Sequence, residues 1–172
     1  MRGIVAAFLF LVASYCFGQI AKADTVPFSV DLSHSKFKFE SPFFGQEYFY
    51  TINGKEINDN TPGNFFIIAV MRNVEHNFEA RKAYAKFVID NIKEKSPNAF
   101  GEEKETQIDN IKAYEACYIY TDSVKHAPIK LKEYGVIFGN DKTTIGFLGI
   151  AVKHYRKTIK EFRKIARSIK IK

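Results

Sequence analysis

The chain has 172 residues, with 26 Lys and Arg against 19 Asp and Glu, for a formal net charge of +7. That length allows one ordinary domain with its own core. Its two cysteines, Cys16 and Cys117, and four scattered histidines exclude a disulfide-stapled scaffold and any thiolate or His-Glu-x-x-His metal motif.

Met1-Arg2-Gly3 opens the chain with a positive charge, and the mostly apolar run from Ile4 to Phe17 follows. Ala21-Lys22-Ala23 then supplies a small-x-small site before Asp24. Charge, apolar core and small residues in that order predict a cleaved secretory signal over 1–23. The run is shorter than the roughly 20 residues a membrane-spanning helix needs. Tyr15 directly before Cys16 argues against lipid modification at that cysteine. Cleavage would leave 24–172 as a single domain with no further apolar run long enough to span a bilayer. Cys117 would then be alone, so the core must hold without a disulfide. The remaining chain has no Asn-x-Ser/Thr acceptor, which favours a bacterial periplasmic or secreted protein.

Phe37 and Phe39 alternate with Lys36 and Lys38, the period-2 pattern of a strand. Gln46 to Ile52 is aromatic and β-branched and runs into Asn53-Gly54, a hairpin signal with a short return limb over 55–57. Asn58 to Gly63 reads as loop, and Asn64 to Met71 as a central strand covered on both faces. From Phe78 to Ile92 the apolar residues fall at helical spacing, and Ser96-Pro97 ends that helix. The polar stretch 98–110, with Glu102, Glu103 and Glu105, reads as a surface connection.

Three more strands are expected. Tyr114, Ala116, Tyr118 and Tyr120 share one parity of 111–121, and Tyr134, Val136 and Phe138 share one parity of 129–138. Gly139-Asn140-Asp141-Lys142 then turns the chain into 143–152. A helix over 153–169 closes it. The order β-β-β-α-β-β-β-α, joined mainly by hairpins, predicts an α+β fold: a largely antiparallel sheet packed by two helices.

That order, the tight hairpin near the C-terminus and the closing segment Phe162-Arg163-Lys164-Ile165-Ala166-Arg167-Ser168-Ile169 resemble the PsbP-like α/β/α sandwich domains over about 36–172. The resemblance implies a non-catalytic binding or assembly factor and assigns no functional residue.

Motifs for chemistry are absent from the sequence. There is no Gly-x-Ser-x-Gly elbow, and Gly135, Gly139, Gly146 and Gly149 match neither phosphate-binding pattern. Strand alternation puts Cys117 opposite the tyrosines, as a structural residue. The acidic trio sits among polar neighbours, where solvated charge is expected. No cofactor or metal is implied.

Charge placement is the feature that stands out. Residues 153–172 hold nine cations against Glu161, a net +8, which leaves −3 for 24–152. Lys153, Arg156, Lys157, Lys160, Arg163, Lys164 and Arg167 recur every three or four residues and so line one helical face. Such a stripe serves solvation or electrostatic docking onto an anionic surface or acidic protein. Nucleic acid is disfavoured, because aromatic residues do not interleave with the cations. Phe43, Phe44, Tyr48, Phe49 and Tyr50 form an aromatic concentration, with Phe49 a candidate contact if one sheet face is open. The sequence thus points to an exported non-catalytic binding domain. The competing reading is a small periplasmic hydrolase or inhibitor whose site is assembled from distant residues.

Overall fold

The computed structural model describes residues 26–43, 47–57, 62–124 and 127–172. The expected leader and Phe44 lie outside them. Seven strands form one antiparallel sheet in the order β2-β3-β4-β8-β7-β6-β5. They are β2 (Phe37–Phe43), β3 (Glu47–Ile52), β4 (Phe65–Val70), β5 (Phe100–Ile108), β6 (Ile111–Val124), β7 (Ala127–Gly139) and β8 (Thr144–Ala151). Helix α1 (Phe78–Lys95) covers one face and α2 (Tyr155–Arg167) the other. Two short strands, β1 (Phe28–Ser29) and β9 (Lys170–Ile171), pair the two ends of the described chain. The α/β/α sandwich suggested by the order of elements is the fold observed.

The alternation read in the sequence builds this arrangement. In β4, Phe66 and Ile68 enter the core under α2, whereas Phe65 and Ile67 enter the core on the α1 side. Tyr114, Tyr118 and Tyr120 of β6 join the α1 side, and Cys117 the α2 side. The α2 face is tightly packed. Phe66 stacks on Phe147 at 5.0 Å between centroids, and Phe162 of α2 meets both rings edge-on. Asn77 caps α1 by accepting from the Ala80 N–H at 2.8 Å, and Ser96 ends it.

Two local expectations are corrected. Residues 98–110 are not merely a connection, because Phe100–Ile108 forms the edge strand β5. Asp109 and Asn110, at φ 51° and 64°, make the two-residue turn that joins it to β6. Asn53-Gly54 also turns with positive φ, but 55–57 does not pair as a return strand. The neighbours of β3 are instead β2 and β4.

Candidate functional site

Helix α2 is set by a polar junction at its start. The Asn64 side chain, buried beside β4, accepts from the Val152 N–H at 2.8 Å and the Lys153 N–H at 3.2 Å. Its amide donates to the Lys153 carbonyl at 3.1 Å and to Thr158 Oγ1 at 3.0 Å. His154 takes a left-handed conformation (φ 54°), so the chain leaves β8 and enters the helix in one step. Ile159, Phe162, Ile165 and Ala166 are buried against the sheet, and this apolar face fixes which cations point outward.

The structure divides the expected cationic stripe in two. Arg156, Lys157, Lys160 and Lys164 are exposed and make no ion pair with the described residues; Lys153, just before the helix, is exposed as well. Arg163 and Arg167 turn back onto the sheet. Arg163 Nε lies 3.0 Å from Glu115 Oε1 and its Nη2 lies 2.7 Å from Glu102 Oε1. Arg167 Nη2 is 3.8 Å from Glu115 Oε2, and Lys104 of β5 reaches Oε1 at 3.5 Å. Glu115 is a buried carboxylate, and the Tyr134 hydroxyl donates to it at 3.3 Å. Contact with Arg163 holds the exposed Glu102 carboxyl below its ordinary range.

Phe49 stands apart from these cations. It belongs to the α1 side of the sheet, half-buried, with its ring 5.1 Å from that of Phe65. Its neighbours Tyr48 and Tyr50 pack on the other side, against Phe28 and Phe66. Aromatics therefore do occupy both faces here, but the helix cations and Phe49 form no common site.

Under α1 lies a feature not read in the sequence, a cleft of about 80 Å³ lined by Ile67, Val88, Ile89, Leu148 and two glutamates, Glu47 and Glu133. Both glutamates are buried. Desolvation pushes each carboxyl up to about 7. Glu133 accepts from the Tyr120 hydroxyl at 2.7 Å, which partly offsets that effect, and the same burial drives the Tyr120 phenol well above its usual range. Glu47 Oε2 has no hydrogen-bond partner among the described residues. A signal for both was available: each shares strand parity with core residues, Glu133 with Leu131 and Ile137, Glu47 with Phe49. Glu115 is betrayed in the same way by Ala113 and Cys117.

The two carboxyls do not form an acid–base pair. Strands β4 and β8 separate β3 from β7, so the backbones stand about 14 Å apart before any offset along the strands. Paired carboxyls that flank one scissile glycosidic bond sit roughly 5–9.5 Å apart. At the cleft's edge, Glu103 accepts from the hydroxyls of Tyr114, at 2.7 Å, and Tyr118, and pairs with Lys93 at 3.2 Å. Burial raises the Glu103 carboxyl, but these donors outweigh it and hold the group low. Glu105 pairs with Lys82. The acidic trio is therefore engaged in ion pairs, not simply solvated. Cys117 is buried, which pushes its thiol up. Among the described residues no group of His, Cys, Asp or Glu is placed to hold a metal ion.

No family model and no curated protein sequence matches the chain. Solved structures do. The Saccharomyces cerevisiae Ran-binding protein Mog1p is 8% identical, with a TM-score of 0.50 over 80% of this chain and 86% of its own. A Bacteroides thetaiotaomicron protein is 10% identical, with a TM-score of 0.56 over 85% of this chain but only 45% of its own. Cyanobacterial PsbP from Synechocystis is 12% identical, with a TM-score of 0.46 over 91% of this chain and 99% of its own. At these identities the likeness is one of fold. Among the described residues, no helix is long and apolar enough to cross a membrane.

Proposed function

We propose that this protein is an exported, non-catalytic binding domain that docks electrostatically onto an anionic surface through the outer face of α2. The observation that carries the reading is the group Arg156, Lys157, Lys160 and Lys164, exposed and without an ion-pair partner among the described residues. Lys130 and Lys132 of β7, on the same side of the sheet as Tyr134, add to the positive field. Clustered cations of this kind raise local anion concentration and association rate. Near an anionic lipid surface each contributes on the order of 1 kcal/mol. The Ran-binding description of Mog1p is compatible with a binding role on this fold, though it names no partner for this chain. Export rests on the charged, apolar and small-residue order of 1–23.

Sedimentation of the purified protein with anionic and neutral vesicles across a salt series tests the docking face. We expect binding to anionic vesicles alone, weakening as salt rises. The triple substitution Lys157→Glu, Lys160→Glu, Lys164→Glu should abolish it without loss of fold. Vesicle binding that ignores salt, or survives the triple reversal, would remove α2 as the contact. No binding at low salt would eliminate lipid and leave an acidic protein as the anionic partner to seek.

A further inference from the structure

The two faces of the sheet are packed very differently. Under α2 the floor is Phe66, Tyr134 and Phe147, all fully buried. Under α1 the corresponding floor is Ala69, Gly146, Gly135 and Ala116, on four adjacent strands. These four small residues are only partly buried although they lie mid-sheet beneath a helix. Only Arg81, Ile89 and Ile92 of the 18 residues in α1 are buried. The helix therefore leaves part of the floor uncovered, and solvent reaches it through the cleft.

At the β3 end of this gap sits the Glu47 carboxyl. The residue is 7% exposed, and its Oε2 has no partner among the described residues. Uncovered apolar floor and an unpartnered buried oxygen each cost stability, and here they occur together. No Lys, Arg or His lines the cleft, so no cation in it would balance an anionic ligand. Both polar side chains that reach inward from the sheet as carboxyls, Glu47 and Glu133, favour a donor or a cation.

We propose that the cleft between α1 and the sheet binds a small organic amine, its alkyl body on the Ala69–Gly146 end of the floor and its ammonium donating to Glu47. The volume is roughly half that of a cavity that accepts a benzene ring, which sets the enclosed body at a short alkyl chain. A longer substituent would leave past Tyr84 and Ala85, the half-buried residues of α1 that line the opening. This site lies on the opposite side of the sheet from the α2 cations and is independent of the docking reading.

Ligand-observed NMR titration of the purified protein with n-butylamine, butan-1-ol and butyrate tests the assignment. Butylamine should bind at least tenfold more tightly than butanol, and butyrate should not bind. Glu47→Gln should reduce butylamine to the level of butanol. Ala69→Leu should abolish both, because Ala69 is the half-buried floor residue directly opposite Glu47 in the β3–β4 pairing and a larger side chain there takes the place of the alkyl body. The Lys157/Lys160/Lys164 reversal should leave butylamine binding unchanged. Equal affinity for the three probes, no binding by any of them, or butylamine binding that survives Ala69→Leu would each overturn the proposal. The last readout holds even if Glu47→Gln fails to fold.

Discussion

A methyl group added at Gly149 would lie 2.4 Å from Cδ2 of Phe162, well inside van der Waals contact. That ring has nowhere to go. Phe37 and Phe147 hold it at 5.5 and 6.0 Å between centroids, and it is fully buried. Gly149→Ala should therefore lift α2 off β8 and cost about 1–3 kcal/mol, the usual penalty for overpacking a core. Gly135→Ala is the matched control on the other face, where the nearest atom is 3.9 Å away. Its effect should stay within about half a kcal/mol. Urea unfolding of the two variants measures the contrast; equal losses would mean that α2 does not rest on Gly149.

Helix α2 carries cations of two kinds, and the difference should be measurable as an asymmetry. Removing Arg163 leaves Glu115 buried, with the Tyr134 hydroxyl at 3.3 Å and two more distant cations, Lys104 at 3.5 Å and Arg167 at 3.8 Å. Removing the charge of Glu115 leaves cations whose side chains are 29–51% exposed and can return to water. Arg163→Ala should thus cost about 2–3 kcal/mol, and Glu115→Gln about 1 kcal/mol, with the double variant closer to the glutamate change, because no buried charge is then left unpaired. A larger loss for Glu115→Gln would reverse the assignment of which partner depends on the other. The spacing of these cations was legible in the sequence because a helical face is a local pattern. Their division into free and paired was not, since it depends on Glu115, 48 residues away from Arg163. Strand β5 was missed for a similar reason. FGEEKETQI carries charge on both parities, so alternation gives no apolar signal. Its ion pairs run to Lys82 and Lys93 of α1 on one face and to Arg163 on the other. The Asp109-Asn110 turn between two isoleucines was the available clue. Strands 65–70 and 111–124 were readable because burial on both faces, or tyrosines on one parity, writes itself into a short window. The cleft under α1 was not, because its floor joins single small residues from four strands.

At the scale of the whole molecule, the carboxyls pull stability in two directions as pH changes. Glu102, Glu103 and Glu105 are held below their usual range by their partners. Their contribution is present above the unfolded value of 4.5 and is lost as pH falls through their folded values. Glu47 and Glu133 behave oppositely, with folded values of about 7 against 4.5 unfolded. Between those limits the folded state binds more protons than the unfolded one, so stability falls as pH rises from about 4.5 through 7. Each buried carboxyl can account for up to about 3 kcal/mol of that fall. The two trends place the stability maximum near pH 5, well below the sequence pI of 9.3. Relief of positive self-repulsion as pH rises works against the decline, but it acts between surface charges that about 0.15 M salt screens. Denaturant midpoints measured from pH 4 to 9 at that salt should peak near 5 and drop by pH 8. Glu133→Gln keeps an acceptor for the Tyr120 hydroxyl and removes the titration, so it should raise stability at pH 8 and leave it nearly unchanged at pH 5. A wild-type profile that climbs steadily to pH 8, or a Glu133→Gln effect independent of pH, would mean that the carboxyl under α1 is solvated and ionises without cost.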